Sequence, residues 1–127
     1  MSMRVVDINK AVNSYVSTAL WSSLTSEGEP MDLTYGPEDV TMESRQQMAD
    51  DVSAFITGCE EERPEIFDGM SPEQVGHDFW LTRNQHGAGF WDSGLGERGD
   101  WLTEMAHPYG ESSLYVGDDG MVRVEPW

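Results

Sequence analysis

His77, Asp78, His86, Asp92 and His107 carry the donor types that bind zinc or iron, because neutral imidazole and carboxylate suit both ions. Their spacing forms no tight motif. His77 and His86 stand nine residues apart, and neither His-x-x-x-His nor Cys-x-x-Cys occurs. On a hairpin covering 79–92, His86 falls at the turn and His77 near the far end, too distant at roughly 3.3 Å per residue to share one ion. The expectation is therefore no metal and no cofactor. Cys59 is the one candidate thiol nucleophile, and it precedes Glu60-Glu61-Glu62, whose charges raise a thiol pKa and oppose activation. There is no Gly-x-Ser-x-Gly elbow, and Gly87-Ala88-Gly89 and Gly94-Leu95-Gly96 lack the lysine and strand–helix context of a phosphate cradle. Asp118-Asp119 fits a turn. No catalytic residue is predicted, and a small-molecule or metal-dependent enzyme ranks last among three functional readings.

Carboxylates acting together are the larger signal. The 127 residues include 24 acids against 7 bases, with Lys10 the one lysine, for a net charge of −17. Residues 1–25 carry one acid and two bases, a net of +1; residues 26–80 carry fifteen acids and two bases, −13; residues 81–127 carry eight acids and three bases, −5. This excludes a conventional basic binder of nucleic acid, since affinity for phosphate comes from Lys and Arg. Carboxylates on a rigid helix and its loops can instead imitate phosphate charge, steering the protein onto the basic groove of a nucleic-acid-binding protein. The residues placed to do so are Glu38, Asp39, Glu43, Asp50 and Asp51 around one predicted helix, and Glu60, Glu61, Glu62, Glu65 and Asp68 after it. Solubility and salt adaptation produce the same acid excess and compete as explanations.

The elements that must position these groups follow from periodicity. Ile8, Val12, Val16, Leu20 and Leu24 recur every four residues, a helical stripe widened by Tyr15 and Ala19 and capped at Asp7. Ser26–Pro37 holds two Gly and two Pro and reads as a loop. A second helix is expected from about Thr41 to Thr57, with Met48, Val52, Phe55 and Ile56 inward and Gly58 as its stop. Glu60–Asp68, broken by Pro64, reads as a loop or single turn. Ser71-Pro72-Glu73-Gln74 is a helix start, with Ser capping and Pro in the first turn.

The stretch 79–92 is ambiguous between a continued helix and a pair of strands. Phe79–Asn84 is aromatic and β-branched, and Gly87–Asp92 can return antiparallel around Gln85-His86, so a hairpin is preferred. One member of each pair Phe79/Trp80 and Phe90/Trp91 then faces outward, and Trp101 and Trp127 are expected to help cover the sheet. Gly96–His107 reads as a short helix ended by Pro108 and Gly110. Leu114–Gly117 and Met121–Val124 flank Asp118-Asp119-Gly120. A two-residue loop sets Val116 opposite Arg123; a three-residue loop with Gly120 left-handed sets Val116 opposite Val122 and Leu114 opposite Val124, giving one apolar face, and is preferred. The expected fold is α+β: three to four helices packed on a small antiparallel sheet built from two hairpins. It forms a single domain over 1–127, with a helical acidic part about 1–76 and a hairpin part about 77–127.

The stretch Gly76-His77-Asp78-Phe79-Trp80-Leu81-Thr82-Arg83-Asn84-Gln85-His86-Gly87-Ala88-Gly89-Phe90-Trp91-Asp92, followed by Gly94-Leu95-Gly96, resembles a family of small acidic proteins encoded by bacteriophages and prophages. Leu114-Tyr115-Val116-Gly117-Asp118-Asp119-Gly120 resembles that family's C-terminal hairpin. The resemblance covers about the last 50 residues, implies a phage origin, and carries no catalytic residue with it. Together with the charge it gives the leading expectation, an inhibitor that occludes a basic nucleic-acid-binding surface of a host defence protein such as a CRISPR or restriction component. The alternative is an interaction or assembly protein that meets its partner through exposed Trp80, Arg83, His86 and Trp91 on the aromatic hairpin. A lone cysteine, no signal-peptide pattern and no apolar run of roughly 20 residues point to the host cytoplasm and away from membranes.

Overall fold

The computed structural model describes residues 3–85, 89–92 and 94–125. Helix α1 spans Val5–Ser22 and buries Ala11, Val12, Tyr15, Val16, Ala19 and Leu20. Its cap position is Arg4 rather than Asp7. The Asp7 carboxylate, at the third helical position, accepts the Arg4 backbone N–H at 3.2 Å. Leu24 lies beyond the helix and is exposed.

Helix α2 spans Met42–Glu62, with the Thr41 hydroxyl accepting the Ser44 N–H at 3.2 Å. Gly58 does not stop it. Cys59 continues the buried stripe of Met48, Val52, Phe55 and Ile56, and that burial carries the helix one further turn. Glu60, Glu61 and Glu62 are consequently helical, and a turn-rich segment comes after them.

Helix α3 spans Pro72–Arg83, started by the Ser71 hydroxyl accepting the Gln74 N–H at 3.1 Å. Residues 79–83 thus belong to a helix, and the aromatic hairpin does not form. The cause is burial: eight of the twelve α3 residues, including Phe79, Trp80, Leu81, Thr82 and Arg83, are enclosed by neighbours. Phe90–Asp92, read as a return strand, is a 3-10 turn tied to α3 by the Phe90 N–H donating to Thr82 Oγ1 at 3.0 Å. A boundary near residue 76 also falls away, because α3 runs across it. Helix α4 covers Glu97–Ala106 and is extended by a 3-10 turn at His107–Tyr109.

The sheet is a single hairpin, β1 (Leu114–Val116) with β2 (Val122–Val124), in the register Leu114↔Val124, Tyr115↔Arg123 and Val116↔Val122. That is the three-residue-loop register, with Gly120 at φ 80°, a conformation glycine adopts without Cβ strain. The architecture is α+β, four helices and one two-stranded antiparallel sheet among the described residues. The sheet docks on the start of α2: the Thr41 N–H donates to the Val122 carbonyl at 3.0 Å, and the Val124 N–H donates to Ser44 Oγ at 3.0 Å.

One hydrophobic cluster joins the elements. Phe55 of α2 stacks on Phe79 of α3 with ring centroids 4.1 Å apart, and Tyr15 of α1 meets Trp80 edge-on at 5.3 Å. Helices α1 and α3 approach so closely at Gly76 that an added Cβ there would lie 2.0 Å from the Ala11 carbonyl oxygen. No helix among the described residues is long and apolar enough to cross a membrane.

Candidate partner-binding surface

The ten candidate acids do not share one face. Asp39 and Glu38 precede α2 and Glu43 sits in its first turn, where negative charge complements the helix dipole. Glu60, Glu61 and Glu62 occupy the last turn, followed by Glu65 and Asp68. A helix of 21 residues places these two groups about 30 Å apart. Between them only Asp50 and Asp51 lie on α2, and Asp51 turns inward.

Intramolecular hydrogen bonds engage Asp39, Asp50, Asp51 and Glu60. Asp39 Oδ2 accepts the Gly36 N–H at 2.8 Å, and Asp50 Oδ1 accepts from Gln46 Nε2 at 2.8 Å. Glu60 Oε2 accepts the Met3 N–H at 2.9 Å, and Asp51 Oδ2 accepts from Arg83 Nη1 at 2.8 Å. Glu38, Glu43, Glu61, Glu62 and Glu65 are exposed, as is Asp68, whose backbone carbonyl takes an Arg98 hydrogen bond at 2.8 Å.

The C-terminal end of α2 is electrostatically unusual. Three glutamates stand where the helix dipole is negative, and the last turn contains no base. Arg63, the next residue, is committed elsewhere: it grips Glu97 through both terminal nitrogens, at 2.8 and 3.2 Å, and lies over the Trp101 ring at 5.2 Å. That hydrogen bonding holds the Glu97 carboxyl below the usual carboxylate range. Glu65 lines a cavity of about 400 Å³ together with Arg63 and Arg98, just beyond the helix end.

The aromatic set fares differently from its expectation. Trp80 is buried and donates from Nε1 to Ser22 Oγ at 2.8 Å, so it anchors α3 to the end of α1. Arg83 is buried too. Its Nη1 donates to Tyr15 Oη at 2.9 Å as well as to Asp51, Nε donates to the Gly110 carbonyl at 2.8 Å, and Nη2 donates to the Tyr109 carbonyl at 2.9 Å. Burial opposes this charge, but Tyr15 and Asp51 outweigh it and hold the guanidinium above its ordinary pKa. Tyr15, desolvated among these groups, is pushed up. Of the four aromatic-hairpin residues, Trp91 is exposed at 53% and His86 lies outside the described residues, as does Trp127. Trp80 and Arg83 are enclosed and offer no surface to a partner, so of the four only Trp91 is exposed among the described residues.

The residues with chemical promise are scattered. His77 Nδ1 lies 3.0 Å from Asp78 Oδ1 and its ring lies tilted against exposed Trp21 with centroids 6.0 Å apart, while His107 is exposed on the 3-10 turn after α4. Among the described residues no group of three His, Cys, Asp or Glu is arranged to hold a metal ion. Cys59 is buried, and burial, with Glu62 and Glu60 adding, pushes its thiol up to about 12. At neutral pH it is a packed thiol.

These features define a small helical α+β protein with an acidic helix end. Comparison with protein-family models, curated proteins and solved structures gave no match.

Proposed function

We propose that the protein is a phage-encoded inhibitor that binds a basic, nucleic-acid-binding surface of a host defence protein through the acidic end of α2. One observation carries the reading: Glu60, Glu61 and Glu62 close a helix at its unfavourable pole, with Arg63 beside them already engaged by Glu97. Glu61 and Glu62 oppose the helix dipole there, and departures from local electrostatic preference are characteristic of functional surfaces. The contact surface is narrower than the stretch Glu38 to Asp68. It comprises Glu61, Glu62, Glu65 and Asp68, with Glu60 contributing charge while it holds Met3. A carboxylate array of this kind steers encounter with a basic groove and competes there with phosphate.

The test is capture of host proteins on the immobilised chain at low and high salt, then nucleic-acid displacement from the captured partner. Binding that weakens steeply with salt, and weakens further in the Glu60→Gln, Glu61→Gln, Glu62→Gln variant, is the expected result. A salt-insensitive partner, or one indifferent to the three substitutions, rejects the reading.

A further inference from the structure

The two edges of the sheet are treated differently. Along β2, the outward Val122 carbonyl accepts from the Thr41 N–H and the outward Val124 N–H donates to Ser44 Oγ. Along β1, the Gly117 N–H donating to the Met121 carbonyl at 2.8 Å and the Glu125 N–H donating to the Ser113 carbonyl at 2.9 Å fix the ladder phase. In that phase Tyr115 exchanges its backbone bonds with Arg123, and the N–H and C=O groups of Leu114 and Val116 point away from β2. No described backbone segment takes them up.

Beside this open edge run two depressions of about 430 and 420 Å³, both bordered by Leu24 and Leu114. The two adjoin at these residues and lie between β1 and the segment after α1. Met31, Tyr35 and Val116 give the second an apolar floor, Glu111 borders the first, and Glu27 and Glu125 border the second; among the described residues no base lines either. The β1 edge is held firmly in place, since the Ser112 N–H donates to Asn84 Oδ1 at 2.8 Å just before the strand.

We propose that the β1 edge is a second binding surface, which takes an extended, lysine- or arginine-bearing peptide segment of a partner protein as a third strand. Backbone hydrogen bonds to Leu114 and Val116 supply the pairing, and the apolar floor takes alternate side chains. Glu27, Glu111 and Glu125 select basic side chains at the ends. The same charge disfavours a second copy of this chain as the occupant, because the protein carries −17. This site is independent of the acidic end of α2.

The experiment titrates the isotope-labelled full chain with a synthetic peptide of alternating lysine and valine, using a glutamate–valine peptide as control, and tracks the backbone amides by NMR. The lysine peptide is expected to move the Leu114 and Val116 amides, and the glutamate peptide to leave them in place. Val116→Pro removes one outward donor at an edge position and is expected to weaken binding about tenfold. If that variant loses its native circular dichroism, the Glu27→Gln, Glu125→Gln pair decides, with a severalfold loss expected. Equal binding of both peptides overturns the proposal, as do shifts confined to Glu60–Asp68 or unchanged affinity in the folded edge variants. A concentration-dependent dimer abolished by Val116→Pro assigns the edge to a second copy and overturns it too. The Glu60→Gln, Glu61→Gln, Glu62→Gln variant should keep its Leu114 and Val116 shifts, which separates this surface from the first.

Discussion

Arg83 Nη1 lies 2.8 Å from Asp51 Oδ2, joining the last residue of α3 to the middle of α2 through a guanidinium that is only 6% exposed. The same guanidinium serves Tyr15 on α1 and two carbonyls, at Tyr109 and Gly110, after α4. One cation therefore ties three helices to the approach of the sheet. Its charge is tolerated because each direction of the planar fork meets an acceptor, an arrangement lysine is unable to reproduce.

Arg83→Met should therefore be severely destabilising, by about 3 kcal/mol, since it leaves a half-buried carboxylate and two carbonyls without their donor. Arg83→Lys should cost roughly 2 kcal/mol despite keeping the charge. Urea unfolding of both variants checks this. A double-mutant cycle with Asp51→Asn should show strong coupling, because the two residues form one unit. Near-additive costs would mean that the pair contributes little.

The acidic end of α2 should behave in the opposite way. Replacing Glu61 and Glu62 by Gln removes two charges from the negative pole of the helix, worth about 0.3–1 kcal/mol each. The expected outcome is a melting temperature raised by about 3–5 °C at low salt, with the gain shrinking as salt is added. Thermal unfolding at two ionic strengths measures it. An unchanged or lowered melting temperature would show that the glutamates are locally neutral or favourable, and would remove the observation on which the functional proposal stands.

The contact between α1 and α3 leads to a third prediction. Gly76 faces the Ala11 carbonyl, and a methyl group there would sit 2.0 Å from that oxygen, far inside contact distance. Both partners are backbone, so neither can swing aside. Gly76→Ala should raise local helix propensity and still destabilise the protein by about 3 kcal/mol or more, because the two helices must separate. Chemical denaturation distinguishes this from the small stabilisation expected of Gly→Ala in an unobstructed helix; Gly58, with no atom within 4 Å of its virtual Cβ, provides that control.

Where the chain alternates or caps in a simple way, its elements are legible from residue types alone. Ser71-Pro72 starts α3 as those types require, and Val116, Val122, Leu114 and Val124 select one hairpin register because only one puts all four on the same face. The α3 interior is not legible in that way. A helix buried on nearly every side has no polar face, so its 3.6-residue period vanishes and Phe79-Trp80-Leu81-Thr82 looks like a strand. Arg83 misleads for a related reason. An isolated arginine after an aromatic run suggests an exposed contact, and only the tertiary arrangement shows Tyr15, Asp51 and two carbonyls converging on it. The open β1 edge is equally hidden, since nothing local indicates that Thr41 and Ser44 cover one edge of the hairpin and leave the other.

Cys59 provides a pH-dependent prediction. Its thiol is buried on the inner face of α2, and burial, reinforced by Glu62 and Glu60, raises it from an ordinary 9.0 to about 12. Below about pH 9 the thiol is protonated both folded and unfolded, so it contributes no pH dependence. Above that, the unfolded chain ionises while the folded chain holds its proton, and stability falls as pH climbs from about 9 toward 12, by up to about 1.4 kcal/mol per unit. Tyr15, whose hydroxyl is also raised, adds a second loss that begins near its ordinary value of 10.0. Between these two onsets the thiol dominates. Urea unfolding across that interval should show stability decreasing with pH in the native sequence and a flatter profile in Cys59→Ala. Alkylation at neutral pH should proceed only as fast as the chain opens, and rapid labelling of the folded protein would show the thiol to be accessible and the origin of the slope to lie elsewhere.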